Sequence, residues 1–247
     1  MRADCEPGRG ANALRPFGSL GTAVRIGHTT AMSHRQLDAI RASYDRVADA
    51  YAEAIFHELE GKPFDRDLLR RLAAATAGRG RVCDMGCGPG LVARFLRDLG
   101  VDVFGLDLSP GMLEQARRLS PEIAFREGDM TSLDMKDGEL VAIAAFYAVV
   151  NLADELRLKA LREMARVLAP EGLLLLSFHV GSDVLDVKEL WGRPIDMRFY
   201  LLDPDTVETD LMTAGFSIEE VTIRDPYPPE VEHQTRRAYV WARKRGG

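Results

Sequence analysis

Asp84, Asp107 and Asp129 each stand at the end of a short strand-like segment, and the first is followed at once by the turn "GCGPG" at 86–90. A glycine-rich turn that opens a helix offers backbone amides to an anion, which is how a dinucleotide pyrophosphate is held. The spacing here departs from G-x-G-x-x-G. The glycines fall at Gly86, Gly88 and Gly90, and Pro89 removes an amide that a helix start would otherwise present. Asp84 adds negative charge beside the turn and opposes a phosphate. A ligand carrying an ammonium and a sulfonium reverses that preference. Asp107 can accept both hydroxyls of a ribose, and Asp129 can accept from an exocyclic amine. The three acids describe a nucleoside with a cationic amino-acid tail.

Side chains so far apart in sequence meet only if a fold brings strand ends together. Apolar residues at three- and four-residue steps predict a helix over 36–59, and "DRDLLRRLAAATA" predicts a second, closed by Gly78. Strands are expected at 81–84, 101–107, 123–129, 139–147 and 173–180, with helices at 91–99, 110–119 and 154–168 between them. Ser109 and Pro110 form a strong helix start. "ELVAIAAFY" is apolar on both faces, as the centre of a parallel sheet should be. This alternation implies right-handed crossovers and a doubly wound α/β sheet, whose ligands sit outside the carboxyl ends of the strands. After the fifth strand, two β-like runs around "WGRP" suggest a β-hairpin excursion. A helix in "DPDTVETDLMTAGF" and two final strands follow. The first two helices and the excursion are expected to cover one sheet edge as a lid.

The motifs resemble those of class I S-adenosylmethionine-dependent methyltransferases of the small-molecule type. "VCDMGCGPG" is similar to that family's first motif, "VFGLDLSPGMLEQAR" to its second and "REGDM" to its third. "LREMARVLAPEGLLLLSF" resembles its later helix and fifth strand. The likeness covers about residues 40 to 180, and four motifs in order are far more specific than one. It implies a Rossmann-like seven-stranded sheet, mostly parallel with an antiparallel last strand, and a helical N-terminal lid. It also implies S-adenosylmethionine as cofactor, leaving as S-adenosylhomocysteine. Carried over by position, Asp84 and the amides of Gly86, Cys87 and Gly88 hold the methionine end. Asp107 takes the ribose, with Leu108 and Met112 against the adenine. Asp129 takes the adenine amine, and Met130 covers the ring. Ala145 and Phe146 face the ammonium through backbone carbonyls. Tyr44 and Tyr51 lie on the helix that closes over the cofactor.

Methyl transfer is an in-line displacement at carbon, and the sulfonium is already a strong leaving group. The protein must chiefly align the reactants and exclude water. A base is needed only if the nucleophile arrives protonated. His179 and Tyr147 are the candidate bases; the alternatives are a hydrogen-bonded structural histidine and an aromatic wall. Asn151 either orients the acceptor or caps the helix that begins near Ala153, and the cap is the preferred reading. It stands where relatives often carry His, and Val141 where they often carry Asp. Trp191, Arg193, Arg198 and Tyr200 are candidates for the acceptor pocket, with solvated arginines the preferred alternative. Glu232, His233 and Arg236 are further candidates.

A net charge of −6 disfavours a nucleic-acid partner. "DPYPP" at 225–229 is superficially similar to a motif of enzymes that methylate base amino groups, but it falls outside the turn after the fourth strand and reads as a loop. No apolar run reaches membrane-spanning length. Three cysteines, Cys5, Cys83 and Cys87, form no disulfide framework and no metal cluster, so the expected compartment is reducing and cytoplasmic. The expected organisation is a flexible tail over 1–31 and a single domain over 32–247, with its core at 79–180 and lid elements at 34–60 and 184–201. The expected partner is a small-molecule acceptor, with no nucleic acid and no membrane, for a monomer or homodimer. Two other functions stand beside this one. A nicotinamide-dependent oxidoreductase is opposed by Asp84 and the glycine spacing. A non-catalytic S-adenosylmethionine-binding module is left open by Asn151 and Val141.

Overall fold

A computed structural model describes residues 30–246, with side chains from residue 35 onward. The tail expected over 1–31 lies outside those residues, apart from Thr30 and Ala31, which already belong to helix α1 (Thr30–Ile55). A single 3-10 turn, Glu58–Gly61, leads into α2 (Pro63–Thr76). Strand β1 (Val82–Met85), α3 (Leu91–Asp98), β2 (Val103–Asp107), α4 (Pro110–Leu119) and β3 (Ala124–Glu127) follow. Then come β4 (Leu140–Phe146), α5 (Asp154–Val167), β5 (Leu168–His179), β6 (Val184–Leu190) and β7 (Arg193–Tyr200). The chain continues through α6 (Pro204–Ala214), β8 (Phe216–Arg224) and β9 (Arg237–Lys244).

Seven strands form one sheet in the order β3-β2-β1-β4-β5-β9-β8, while β6 and β7 pair with each other outside it. The first five strands of the sheet are parallel, and β9 runs antiparallel to both β5 and β8. From β1 the chain steps outward through β2 and β3, then returns to place β4 on the other side of β1. That reversal opens a crevice at the carboxyl ends of β1, β2 and β4.

The central strands are apolar on both faces because helices cover both. Ile143, Leu174 and Leu176 face a core with Leu161 and Met164 of α5 and Leu211 of α6. Ala142, Ala144, Leu173 and Leu175 face the opposite core with Leu69 and Leu72 of α2 and Val92 and Leu96 of α3. This period of two is what a pleated strand requires. A third cluster joins Val47 and Ala48 of α1 to Met112 of α4 and to Val187, Leu190, Ile195 and Met197 of the hairpin. Burying each of the Val, Leu, Ile and Met side chains among them contributes about 1.5–3 kcal/mol.

The lid expectation needs one correction. The hairpin and α1 do associate: Arg46 donates to the Pro194 carbonyl at 2.8 Å, and Arg193 donates to the Arg46 carbonyl at 2.6 Å. Helix α2 does not join them. Its stripe Leu68, Leu69, Leu72 and Ala73 packs on the sheet face beside α3. A stripe that wide needs a core to bury it, and the face provides one.

Candidate functional site

The turn after β1 takes its shape from three left-handed glycines. Gly86, Gly88 and Gly90 have φ of 69°, 51° and 86°, a region L side chains rarely adopt. A Cβ on Gly86 would stand 2.7 Å from Ala148 Cβ, and one on Gly90 would stand 2.7 Å from Phe125 Cζ. Gly88 is different: a Cβ there would meet the Tyr51 ring at an ordinary contact distance of 4.0 Å, so it is the backbone conformation and not a clash that calls for glycine.

The turn's amides are not free, contrary to the expectation that they hold a ligand. Gly86 and Cys87 both donate to the Leu106 carbonyl, at 2.7 and 3.0 Å. Gly88 donates to Asp107 Oδ2 at 2.8 Å. Backbone donors this buried must be satisfied, and the neighbouring β2 satisfies them.

The acids line the crevice. Asp84 is 2% exposed and accepts from the Ala93 amide in the first turn of α3 at 2.9 Å. Burial raises its pKa to about 7, with the nearby Asp107 charge adding to the rise. Asp107 also accepts from the Ser109 amide at 2.9 Å, and burial raises its pKa against the pull of these amides. Asp129 accepts from the Thr131 amide at 2.7 Å and the Thr131 hydroxyl at 2.8 Å. Each carboxylate oxygen keeps lone-pair capacity for a second donor.

Around them runs a cleft enclosing about 1120 Å³, counting the part open to solvent. Tyr44, Tyr51, Asp84, Gly86, Cys87, Gly88, Asp107, Leu108, Met112, Asp129, Met130 and Phe146 all line it. Ala145 does not; it is buried in the core against α5. Leu37, Ile40 and Arg41 of α1 and Lys62 and Asp65 near the start of α2 also line the cleft, and sequence reasoning did not assign them to it. The apolar helical pattern of Leu37 and Ile40 was a usable signal. Lys62 and Asp65 had none.

A second cavity of about 830 Å³ adjoins the first. Tyr44, Tyr51, Ile55, Glu58, Lys62 and Tyr147 are common to both walls. His179, His233, Arg237, Trp191, Leu190, Val150 and Phe199 complete the second. Of the expected acceptor residues, Trp191 and His233 are therefore in place. Arg193 and Arg198 instead pair with Asp49 at 2.6 Å and Asp186 at 2.9 Å, both part-exposed. Arg236 pairs with Asp225 at 3.6 Å on the surface, and Tyr200 lines neither cavity.

His179 contacts Thr235 Oγ1 through Nδ1 at 2.7 Å, and its ring lies 4.9 Å from that of Tyr147. Burial, with the Arg237 charge behind it, holds its pKa well below 6.5, so it is neutral at physiological pH. Burial also raises the Tyr147 phenol. Asn151 is not a helix cap, because the N-cap of α5 is Ala153. Its Oδ1 instead accepts from the Tyr44 hydroxyl at 2.8 Å, and its Nδ2 donates to the Arg198 carbonyl at 2.7 Å. One amide thus ties α1 to β7 across the mouth of the site.

Behind the shared wall lies a buried ionic network. Lys62 meets Glu58 at 2.5 Å and Glu232 at 3.3 Å. Arg224 meets Glu232 at 2.5 Å and Asp65 at 3.2 Å. The Tyr239 hydroxyl lies 3.0 Å from Asp65, 3.3 Å from the Tyr147 hydroxyl and 2.8 Å from Arg224, which donates to it. Burial would raise Glu232, but the Arg224 hydrogen bonds and the Tyr227 amide hold it down at about 2. Glu232 is therefore a buried brace for three cations and does not line either cavity.

Comparison with known proteins points the same way. The family described as "Methyltransferase domain" matches residues 82–172. A demethylmenaquinone methyltransferase of Beutenbergia cavernae is 36% identical over 203 residues, covering 78% of this chain and 80% of that one. A malonyl-[acyl-carrier protein] O-methyltransferase of Enterobacter lignolyticus is 32% identical over 160 residues, covering 65% of this chain. The chain spans 61–62% of the length of that relative and of another demethylmenaquinone methyltransferase. Among solved structures, the 1,6-didemethyltoxoflavin-N1-methyltransferase of Burkholderia thailandensis superposes with a TM-score of 0.65 at 15% identity, covering 93% of this chain and 94% of that one. At that identity the likeness concerns the fold alone. Among the described residues, no helix is long and apolar enough to cross a membrane.

Proposed function

The chain belongs to the class I S-adenosylmethionine-dependent methyltransferases, and from that membership we propose that it moves a methyl group from S-adenosylmethionine to a small-molecule acceptor seated in the second cavity. One observation carries the reading. The Asp84 and Asp107 carboxylates already occupy the Ala93 and Gly88 amides, which a pyrophosphate would need. Two acids at that point repel a dinucleotide and attract an ammonium and a sulfonium. Asp84, Asp107, Gly88 and Tyr51 all line the one cleft, so the amino-acid tail would lie beside both acids. The same observation disfavours the nicotinamide-dependent alternative.

In this reading the bound cofactor supplies a methyl group on a sulfonium. Asp84 faces the ammonium end, Asp107 takes the ribose hydroxyls and Asp129 the adenine amine. Leu108, Met112 and Met130 enclose the base. Tyr51 and Tyr147, which belong to both walls, flank the passage through which the methyl crosses. Helix α1 and the hairpin, tied through Asn151, exclude water. Tyr147 and His179 border the acceptor. His179, neutral and hydrogen-bonded, serves to position it.

The test is calorimetry with S-adenosylmethionine, S-adenosylhomocysteine and NADH, followed by an acceptor screen read by homocysteine release. Binding of the two adenosyl ligands with NADH silent supports the reading. Binding of NADH alone overturns it. Adenosyl binding with no turnover on any acceptor would leave the binding module as the better account.

A further inference from the structure

The second cavity has a charge arrangement that the nucleoside cleft lacks. Its charged lining residues are Glu58, Lys62 and Arg237. Glu58 is matched by Lys62 at 2.5 Å. Arg237 is 1% exposed, and its carboxylate partner, Glu232, stands 3.6 Å away. Glu232 is held more closely by Arg224 at 2.5 Å and by the Tyr227 amide at 2.7 Å. The Arg237 guanidinium donates otherwise to neutral oxygens: the Thr235 carbonyl and hydroxyl and the His233 carbonyl. Its Nε has no partner, and neither does the Nε1 of Trp191 on the same cavity. Arg237 thus shares one carboxylate, 3.6 Å away, with Arg224 and Lys62, and otherwise faces the Tyr147 ring at 5.9 Å; a buried cation so incompletely matched is unfavourable, and so is each buried donor left unpaired. An anion in the cavity would relieve both.

The neighbouring histidine fits the same picture. Thr235 Oγ1 accepts from Arg237 at 2.5 Å, and His179 Nδ1 lies 2.7 Å from that oxygen. The Thr235 hydroxyl has one hydrogen and two lone pairs; when it accepts from Arg237 and donates to Nδ1, the imidazole proton stands on Nε2. Burial and the Arg237 charge together hold both His179 and His233 below the usual histidine range. In that tautomer the imidazole offers its Nε2 proton as a donor, and the local field is positive.

We propose that the acceptor is a carboxylate-bearing molecule whose carboxylate is anchored by Arg237, with the N–H groups of Trp191 and His179 as supporting donors. Its body lies among the rings of Tyr51, Tyr147 and Trp191, against the wall shared with the cofactor cleft. The inference rests on the methyl-transfer reading, since that reading makes the second cavity an acceptor site.

The experiment is calorimetry on the full chain saturated with S-adenosylhomocysteine, with phenylacetate and indole-3-acetate as probes and their uncharged amides as controls. The acids are expected to bind roughly tenfold or more tightly than the amides, since the amides leave the buried charge unmatched. Arg237→Gln is expected to abolish the preference and Arg237→Lys to retain part of it, because lysine keeps the charge without the fork. Trp191→Phe removes the N–H together with part of the ring that lines the cavity. It should weaken the acids a few-fold more than the amides, which keeps the proposal testable if Arg237→Gln does not fold. Equal binding of acids and amides overturns the proposal, as does acid preference surviving in Arg237→Gln, or no saturable binding of either acid. If S-adenosylhomocysteine itself fails to bind the wild type, the methyl-transfer reading falls and this proposal with it. If it binds and the acid preference is absent, only the carboxylate anchor falls.

Discussion

The Asp107 carboxylate receives the Gly88 amide at 2.8 Å, joining the end of β2 to the turn after β1. The bond fixes the turn and sets the acid where the two strands open toward α1. Its partner oxygen takes the Ser109 amide at 2.9 Å, so the carboxylate is held from both sides. A ribose would find a preorganised acceptor there, with no side-chain rotamers left to freeze.

Asp107→Ala removes the acceptor and the tie together. Hydrogen bonds to a charged group are worth about 1.5–3 kcal/mol each, so losing the ribose contacts should weaken S-adenosylhomocysteine binding by roughly 30-fold or more. Asp107→Asn keeps one acceptor oxygen and should fall between. Calorimetry on the three proteins decides this, and unchanged affinity in Asp107→Ala would remove the ribose assignment.

Asp84 should trade stability for binding. Its pKa rises to about 7 in the folded chain through burial and the Asp107 charge. A carboxyl with a raised pKa holds its proton in the folded state while the unfolded chain has released it. Its contribution to stability is therefore greatest at low pH and is lost as pH rises from about 4 to about 7. Asp84→Asn can keep the Ala93 amide bond without that loss. The ligand-free variant should match the wild type near pH 4 and unfold at a higher temperature by pH 8. Its affinity for S-adenosylmethionine should be lower. Wild-type affinity should fall by up to about tenfold per unit as pH drops below 7, because the acid must ionise to meet the ammonium. Melting curves and calorimetry across this range give both readings, and a variant less stable than the wild type at pH 8 would contradict the first.

The parts of the fold set by local pattern were readable. Alternating apolar strands, the Ser109 cap and the Gly215 stop each announce themselves within a few residues. The Ser109 hydroxyl accepts from Met112 at 3.1 Å, and Gly215 ends α6 in a left-handed conformation. The acids were legible because each stands at or beside the end of its own strand: Asp84 next to last in β1, Asp107 last in β2 and Asp129 two residues beyond β3. What escaped was set by distant partners. The glycine-turn amides were expected to be free, yet β2 supplies the Leu106 carbonyl that takes two of them. Asn151 has the residue type and position of a cap, but its partners are 107 and 47 residues away in the chain. Asp65 and Tyr239 are 174 residues apart, and neither has a neighbour that hints at the other.

Asn151 should act as a structural tie for the lid. Asn151→Leu leaves the Tyr44 hydroxyl without its acceptor and the Arg198 carbonyl without its donor. Each buried polar group stranded in this way costs about 1–3 kcal/mol. The variant should lose stability of that order and expose α1 to limited proteolysis sooner than the wild type. Asn151→Asp keeps the Tyr44 bond alone and should lose less. If Asn151→Leu keeps stability and proteolytic protection but abolishes turnover, the residue acts on the acceptor and not on the lid.

Glu232 should give a pH dependence opposite in sign to that of Asp84. Burial opposes its charge, but Arg224, the Tyr227 amide, Lys62 and Arg237 together hold its pKa at about 2. A lowered carboxyl stabilises the fold above its unfolded value, near 4.3, and that contribution is lost as pH falls toward 2. Glu232→Gln leaves Arg224 with Asp65 alone and removes the shared carboxylate from Lys62 and Arg237, and removing one partner of a buried pair costs about 3–5 kcal/mol. Urea unfolding should show that full deficit at pH 7, shrinking steadily below about pH 4.5 as the wild type loses the same charge. Because Lys62 and Arg237 line the acceptor cavity and both lean on Glu232, the variant should also weaken acceptor binding more than cofactor binding. A deficit that stays constant from pH 7 to pH 3 would show that the side chain braces the fold by shape, with its charge contributing nothing.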